Sequence, residues 1–334
     1  MSRSGQRAIM RQLFTEEYCQ KTKAIPFVTS DGMEFHILDA FICPICMNII
    51  NVEDADKITL EDVPPESVGG KPGLVTCAKC NNGLGGGKLD CYLHNELLVY
   101  HLIKHPENTT YKATFTLNGV KIKGRARLEI NSGKPTWHFT IDANDRVNYP
   151  NFRKELENNW DGCNLQVDFN ITSTKRMDEY SNISILRSAY LMAFVEMGYM
   201  YILSENMDKV REQILNRDKD ILGSSFLVGR GIDMMSEEIE GVYCGLVNGV
   251  SCILVIMNLH LREKDAAIHK VVVALPNPDE SALSLYSKLE KMEATKTISV
   301  INKVGQLSIK PIRTAERYDE IFDNHGDARD IDMS

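Results

Sequence analysis

Two short cysteine pairs constrain this chain more than any other feature of its sequence. Cys43-Pro-Ile-Cys46 and Cys77-Ala-Lys-Cys80 each place two thiols three positions apart, and thirty residues separate the pairs. Two thiolates at this spacing reach one tetrahedral ion from a tight turn, and two such turns complete a closed four-sulfur site. A thioredoxin-type redox pair does not fit, because there are two pairs and neither lies in a βαβ pattern. The spacing therefore predicts a structural zinc ion.

The composition is that of a globular protein from a reducing compartment. Of the 334 residues, 43% are hydrophobic and 25% are charged, which excludes a disordered or fibrous chain. We expect a cytoplasmic protein with no membrane attachment, because the first residues lack an apolar signal region and the most apolar stretch, residues 183–203, contains Arg187 and Glu196. The net charge of −8 excludes a uniformly basic nucleic-acid coat but permits a local basic patch.

Four segments of different character follow one another along the chain. Residues 1–36 form an N-terminal extension with a short helix near residues 8–21, and residues 37–105 hold the cysteine pairs. Residues 106–320 alternate between strand and helix patterns and show no motif that assigns a reaction. Residues 321–334 form a charged tail. The predicted fold class is α+β, a small zinc module followed by a larger mixed region of strands and helices.

A second set of motifs lies between and after the cysteine pairs. Glu61-Asp62-Val-Pro-Pro precedes Gly69-Gly70-Lys71, and Asn81-Asn82 follows the second pair directly. In this order and spacing, the segment of about residues 40–95 resembles the zinc-stapled branch of the HNH endonuclease family, over less than a fifth of the chain. The resemblance implies a ββα-metal fold. In that fold a hairpin and a helix hold one catalytic divalent ion, and the zinc keeps hairpin and helix in register.

The resemblance also implies which residues would act. Glu61 falls on the family's first metal-ligand position and Asn81 on its last, and both offer the oxygen that Mg²⁺ or Mn²⁺ prefers. The ion would polarise a bridging phosphate and stabilise the leaving 3′-oxygen. Asp62 falls on the position of the general base.

Asp62 departs from the family pattern, which has a histidine at this position. An imidazole near neutral pH suits the abstraction of a proton from water, whereas a carboxylate is a much weaker base. Pro72 also stands where many family members carry the asparagine that orients the histidine. Three readings stay open. Asp62 acts as a poorer or metal-assisted base, another histidine such as His94 replaces it, or the site binds metal and nucleic acid without cutting.

Three lysines surround the motif and give it a locally positive face. Lys71, Lys79 and Lys88 are candidates for contacts with phosphate groups. The expected partner is nucleic acid, with DNA ahead of RNA. The C-terminal region is expected to bind a partner protein or a second copy of the chain.

Two functions from different classes follow from these motifs. The first is an HNH-type endonuclease that hydrolyses phosphodiester bonds with a divalent ion, for which the family offers bacterial restriction and defence as an analogy. The second is a catalytically degenerate, zinc-binding module that contacts nucleic acid or protein and performs no chemistry.

Overall fold

The computed structural model confirms a mixed architecture of helices and strands. It describes residues 2–29, 31–104, 110–131, 134–142, 145, 147–159, 165–169, 175–231, 239–261, 268–278, 281–291, 297–304, 312–313 and 331–332. Within these residues, no helix is long and apolar enough to cross a membrane.

The helices of the described residues are α1 (Arg3–Lys23), α2 (Asp90–Lys104), α3 (Tyr149–Asn159), α4 (Lys175–Met197), α5 (Tyr199–Ile202), α6 (Asp208–Leu215) and α7 (Ala282–Glu290). A π-helical segment, Lys79–Leu89, leads directly into α2, and 3₁₀ turns cover Val52–Lys57, Glu66–Val68 and Glu205–Met207. The helix predicted near residues 8–21 is confirmed. It starts earlier because the Ser2 side chain accepts a hydrogen bond from the Gly5 N–H (3.3 Å) and caps its first turn.

The strands are β1 (Phe27–Val28), β2 (Glu34–Ile37), β3 (Ala40–Ile42), β4 (Ile49–Asn51), β5 (Ile58–Val63), β6 (Lys71–Cys77), β7 (Thr110–Leu117), β8 (Val120–Asn131), β9 (Lys134–Ile141), β10 (Gln166–Phe169), β11 (Leu227–Arg230), β12 (Gly241–Val247), β13 (Val250–Leu259), β14 (His269–Leu275), β15 (Ile298–Lys303), β16 (Ile312–Arg313) and β17 (Ile331–Asp332). They form three sheets, in the orders β16-β1-β2-β17, β10-β7-β8-β9 and β11-β14-β13-β12-β15. Two further hairpins are β3–β4 and β5–β6.

One compact unit, here called unit 1, comprises Met1–Leu93, Arg176–Leu259 and Ile268–Ser334. Its largest sheet is antiparallel, and β13 and β14 lie at its centre. Both strands read as nearly continuous apolar runs, and their side chains are buried on both faces. The apolar pattern of these runs is therefore explained by burial in a sheet core.

The other compact unit, here called unit 2, comprises His94–Lys175 and His260–Ala267. Its antiparallel sheet is built around β7 and β8, which are joined by the turn at Asn118-Gly119. The side chains on one face alternate with exposed ones and pack against Phe152 of α3. An alternating strand pattern next to an Asn-Gly turn is a strong local signal for such a hairpin.

The compact units divide the chain differently from the four segments defined by sequence. The N-terminal helix, both cysteine pairs and the region from residue 176 onward share unit 1. The ring of Tyr18 on α1 stacks on Phe194 of α4 at 5.1 Å and meets Phe41 of β3 edge-on at 6.4 Å. Helices far apart in the sequence thus pack beside the cysteine-bearing hairpin β3–β4. Most of the predicted tail, residues 321–334, lies outside the described residues.

Candidate metal centre

Each cysteine pair lies at the end of a short strand. Cys43 follows β3, and the turn that leads to β4 brings Cys46 back beside it. Cys77 is the last residue of β6, and Cys80 lies in the first turn of the π-helical segment. Two tight turns therefore present the four thiols to one point.

The four sulfur atoms form one cluster with the dimensions of a metal site. They all lie within 4.8 Å of one another, and the Sγ atoms of Cys46 and Cys77 are 3.7 Å apart. A tetrahedral site with Zn–S bonds of about 2.3 Å has sulfur–sulfur edges of about 3.8 Å, so the donor set fits zinc. A disulfide is excluded, because its sulfur atoms would lie about 2.05 Å apart. The predicted four-cysteine metal site is thus confirmed in its geometry.

Backbone amides point to two of the sulfur atoms, and neighbouring thiols favour negative charge on the Cys77 sulfur. The Cys77 N–H points to the Cys43 Sγ (3.4 Å), and the Cys80 N–H points to the Cys77 Sγ (3.3 Å). Hydrogen bonds from the Cys43, Cys46 and Cys80 thiols lower the pKa of Cys77. Among the described residues, no second group of three histidine, cysteine or carboxylate ligands lies close together.

Glu61, the predicted first ligand of a catalytic ion, lies in the interior of unit 1. Its side chain is 3% exposed on β5, where the Thr76 hydroxyl donates to its Oε2 at 2.9 Å. The Nη2 of Arg187, from α4, lies 2.8 Å from the same oxygen. Burial raises the pKa of Glu61, although the Arg187 charge and the Thr76 hydrogen bond act against this shift. The carboxylate that the resemblance assigns to a metal ion is thus paired with a guanidinium.

Arg187 is a buried cation with several anionic neighbours. Its side chain is 2% exposed, and in the described structure its Nε and Nη2 atoms make no hydrogen bond of good geometry, although Nη2 lies 2.8 Å from Glu61. Burial acts to lower its pKa, but Glu61 and Asp90, with a smaller effect from Cys80, raise it above the ordinary value. Burial likewise raises the pKa of Asp90, against the effect of Arg187. Arg187 therefore interacts electrostatically with Glu61, Asp90 and Cys80 of the cysteine cluster.

Asp62, in the position of the general base, is also engaged. Arg7 of α1 donates two hydrogen bonds to it, from Nη1 to Oδ1 at 3.1 Å and from Nη2 to Oδ2 at 2.8 Å. The Asp62 side chain is 14% exposed. The hydrogen bond to Asp62 raises the pKa of Arg7. This fork-to-fork geometry is the strongest form of an arginine–carboxylate contact.

Asn81, the predicted last ligand, fastens the helical segment to the hairpin. Its side-chain Nδ2 donates to the backbone carbonyl of Leu60 at 2.9 Å, and the residue is partly buried. The contact joins the start of the π-helical segment to β5. The contact uses the amide nitrogen, whereas a metal ion would bind the amide oxygen, so the predicted ligand role of Asn81 stays a prediction.

The glycines of the motif are explained by the loop that joins β5 to β6. Gly69 has a φ of 95°, the left-handed region that favours glycine, and ends the 3₁₀ turn. A Cβ atom on Gly70 would overlap the backbone carbonyl of Pro64. Both glycines therefore serve a tight, closely packed loop.

The remaining predicted residues lie on β6, in the π-helical segment and on α2. Lys71 and Lys79 are exposed, and the side chain of Lys88 lies outside the described part of the structure. Pro72 lies on β6 opposite Asp62. His94 is partly buried on α2 and belongs to unit 2. The roles predicted for these lysines and for His94 stay predictions.

Sequence reasoning missed Arg187 and Arg7 as partners of the motif carboxylates. Arg187 carried a signal, because an arginine inside an apolar helix stripe is almost never fully buried without a counter-charge. The identity of that counter-charge was not readable from local sequence. Arg7 carried no comparable signal.

Comparison with protein-family models, with curated proteins and with solved structures finds no match to this chain. The resemblance to HNH endonucleases therefore rests on the motif residues alone. A cluster of four cysteines is common to many zinc proteins and is not specific to that family.

Proposed function

We propose that this chain is a zinc-stapled nucleic-acid-binding protein that does not hydrolyse phosphodiester bonds. The hairpin β5–β6 followed by a helical segment is the element order that the HNH resemblance implies, and the cysteine cluster supports a zinc staple across it. The proposal departs from an active nuclease because the carboxylates at two family positions, Glu61 and Asp62, are each paired with an arginine instead.

The burial of Glu61 and its pairing with Arg187 are the main support for the proposal. A metal ion that activates a phosphate must contact its protein ligand and the phosphate together, so the ligand has to be reachable. Glu61 is 2% exposed, and the Arg187 guanidinium lies 2.8 Å from its oxygen. A divalent cation placed there would meet a buried positive charge at short range, which is strongly unfavourable in a poorly solvated interior.

Asp62 supports the same conclusion. The bidentate contact with Arg7 occupies both oxygens of Asp62, so this carboxylate does not abstract a proton from water without losing that contact. The Asn81 Nδ2 donates to the Leu60 carbonyl, and this contact leaves the Oδ1 atom, which a metal ion would bind, unused. In this reading the family motif has been kept as a scaffold around the zinc.

A cleavage assay tests the proposal. Zinc-loaded wild-type protein should leave supercoiled plasmid and single-stranded DNA intact in Mg²⁺, Mn²⁺ or Ni²⁺. Asn82→Ala is a matched control for Asn81→Ala, because the two asparagines are adjacent and Asn82 is exposed. Nicking by wild type and Asn82→Ala, lost in Asn81→Ala at unchanged zinc content, would establish an endonuclease and overturn the proposal.

Restoring the histidine gives a second test. Asp62→His supplies the family's general base, but Glu61 stays paired with Arg187, so we expect this variant to remain inactive. Metal-dependent nicking by Asp62→His would mean that the ion site is intact and that only the base has been lost.

A further inference from the structure

Unit 2 carries a row of basic side chains on one face of its sheet. The five residues, here called the basic face, are Lys112 on β7 and Lys121, Lys123, Arg125 and Arg127 on β8. All five are exposed. They lie outside the motif that sequence reasoning singled out for phosphate contacts.

Strand geometry puts these residues on the same side. Alternate residues of a strand point to one face, and the basic positions of β8 alternate with Ile122 and Ala126, which are buried in the core. In the register of the two strands, Lys112 lies opposite Arg125, and Thr114 lies opposite Lys123. The repeat distance along a strand places neighbouring charges of β8 about 7 Å apart.

Charge is unevenly divided between the two units. Unit 2 contains thirteen lysines and arginines against eleven aspartates and glutamates, a net charge of +2. The whole chain has a net charge of −8, so the residues outside unit 2 carry a net charge of −10. Within the described residues, Lys112, Lys121, Lys123 and Arg125 make no ion pair, whereas Arg127 lies 3.8 Å from Glu129. Asp168 on β10 and Asp145, near Lys123, border the face. Its centre remains positive.

We propose that the basic face binds the phosphate backbone of nucleic acid. Cationic side chains at regular spacing complement a polyanion, and the exposed Thr140, which lies opposite Arg125, adds a neutral hydroxyl of the kind that such interfaces use. The exposed rings of Trp137 and Phe139 lie opposite Leu128 and Ala126, on the other face of the sheet.

This arrangement favours nucleic acid over an anionic membrane, because a membrane-surface site combines basic residues with apolar side chains that insert. The basic face has charged and polar residues only. The inference rests on the proposed function, since it names the surface through which the nucleic acid is bound.

Binding of a short labelled DNA duplex, followed by fluorescence anisotropy as a function of salt, tests the inference. Four phosphate contacts predict an affinity that falls about 150-fold between 50 and 200 mM salt. Lys121→Gln/Arg125→Gln removes two of the contacts, so the affinity should fall only about 12-fold over the same range and should be at least tenfold weaker at 50 mM salt.

Arg153→Gln/Lys154→Gln is the matched control. It removes one arginine and one lysine from the same unit, but from α3, which packs on the opposite face of the sheet. The control should bind DNA with the affinity and the salt dependence of wild type. Circular dichroism of all variants checks that the sheet is retained.

Three results would overturn the inference. The control could lose as much affinity as Lys121→Gln/Arg125→Gln, which would indicate a general charge effect. Binding could depend instead on Lys71→Gln/Lys79→Gln, which would locate the contacts at the motif. Vesicles of anionic lipid could bind with the same dependence on Lys121 and Arg125 while DNA does not. Dependence on Lys71 and Lys79 would leave the proposed function standing. Absence of any DNA binding at 50 mM salt would overturn both the proposed function and the role of the basic face.

Discussion

Glu61 and Arg187 form an ion pair that water barely reaches, and the energetics of such pairs are asymmetric. Forming a buried pair adds little net stability, because both charges lose their hydration. Breaking it by removing one partner costs much more, since the other charge stays buried without compensation. At the residue scale, the stability of the fold around Glu61 therefore depends strongly on Arg187, which is distant in the sequence.

Arg187→Met should lower the free energy of unfolding by about 3–5 kcal/mol, measured by chemical denaturation. The double variant Glu61→Gln/Arg187→Met should recover part of that loss, because glutamine keeps an acceptor for the Thr76 hydroxyl and removes the Glu61 charge, while Asp90 still lacks the charge of Arg187. Arg153→Met is the control, since it breaks an exposed pair with Glu157 and should leave the free energy of unfolding nearly unchanged. Equal losses in Arg187→Met and in the double variant would show that the pair is not the cause.

The loss in Arg187→Met should depend on pH. The pKa of Glu61 is raised in the folded protein by burial, and removal of the Arg187 charge raises it further. A carboxyl with a higher pKa in the folded state contributes stability that is present below its unfolded pKa and lost as pH rises through its folded pKa. The deficit of Arg187→Met relative to wild type should therefore be larger at about pH 8 than at about pH 5. A deficit that grows as the pH falls would contradict this assignment.

At the scale of elements, the two cysteine-bearing hairpins are too small to be stable alone. The zinc ion would tie the β3–β4 turn to the end of β6, and helices complete the support. The Tyr190 hydroxyl on α4 donates to the Pro44 carbonyl, inside the first cysteine pair, and the Tyr199 hydroxyl on α5 donates to the Ile42 carbonyl at 2.7 Å. The metal site is thus supported by elements far away in the sequence.

Loss of one thiol should remove the metal and destabilise unit 1. We expect Cys80→Ser to lose its zinc, measured by elemental analysis, because three thiols do not complete a closed structural site. Cys91→Ser is the matched control, since Cys91 is exposed on α2. Full zinc occupancy and unchanged melting in Cys80→Ser would mean that the four-cysteine assignment is wrong.

The parts of the fold that sequence predicted are those fixed by short-range patterns. The cysteine spacing predicted the metal cluster, and the alternating pattern beside Asn118-Gly119 predicted the β7–β8 hairpin, because both depend on residues close together in the chain. The pairing of Glu61 with Arg187 was not predictable, because it joins β5 to α4 through tertiary packing. The catalytic roles of Glu61, Asp62 and Asn81 came from the resemblance, and no local pattern reveals that arginines from α1 and α4 would reach the two carboxylates.

At the scale of the whole molecule, the division into two units makes a prediction about cooperativity. Both tryptophans of the chain lie within residues 94–175, which belong to unit 2, whereas the cysteine cluster belongs to unit 1. Tryptophan fluorescence therefore reports on unit 2, while far-ultraviolet circular dichroism reports on both. Domains with separate cores need not unfold together.

Removal of zinc by a chelator should act on one unit only. The midpoint temperature of the main unfolding transition, followed by circular dichroism, should fall by about 10 °C or more, because a structural zinc site contributes several kcal/mol to folding. The midpoint temperature of the transition followed by tryptophan fluorescence should stay within a few degrees of its value in the untreated protein. A parallel fall of both transitions would show that the two units unfold as one.

We infer that Glu61, Asp62 and Asn81 do not form a site for a catalytic ion. Titration of zinc-loaded protein with Mn²⁺, followed by electron paramagnetic resonance of the free ion, tests this most directly. We expect the same amount of free Mn²⁺ with wild type, Asn81→Ala and Asn82→Ala, and no bound ion attributable to the motif. One Mn²⁺ bound per chain by wild type and by Asn82→Ala, and released in Asn81→Ala, would show that the motif still holds its ion.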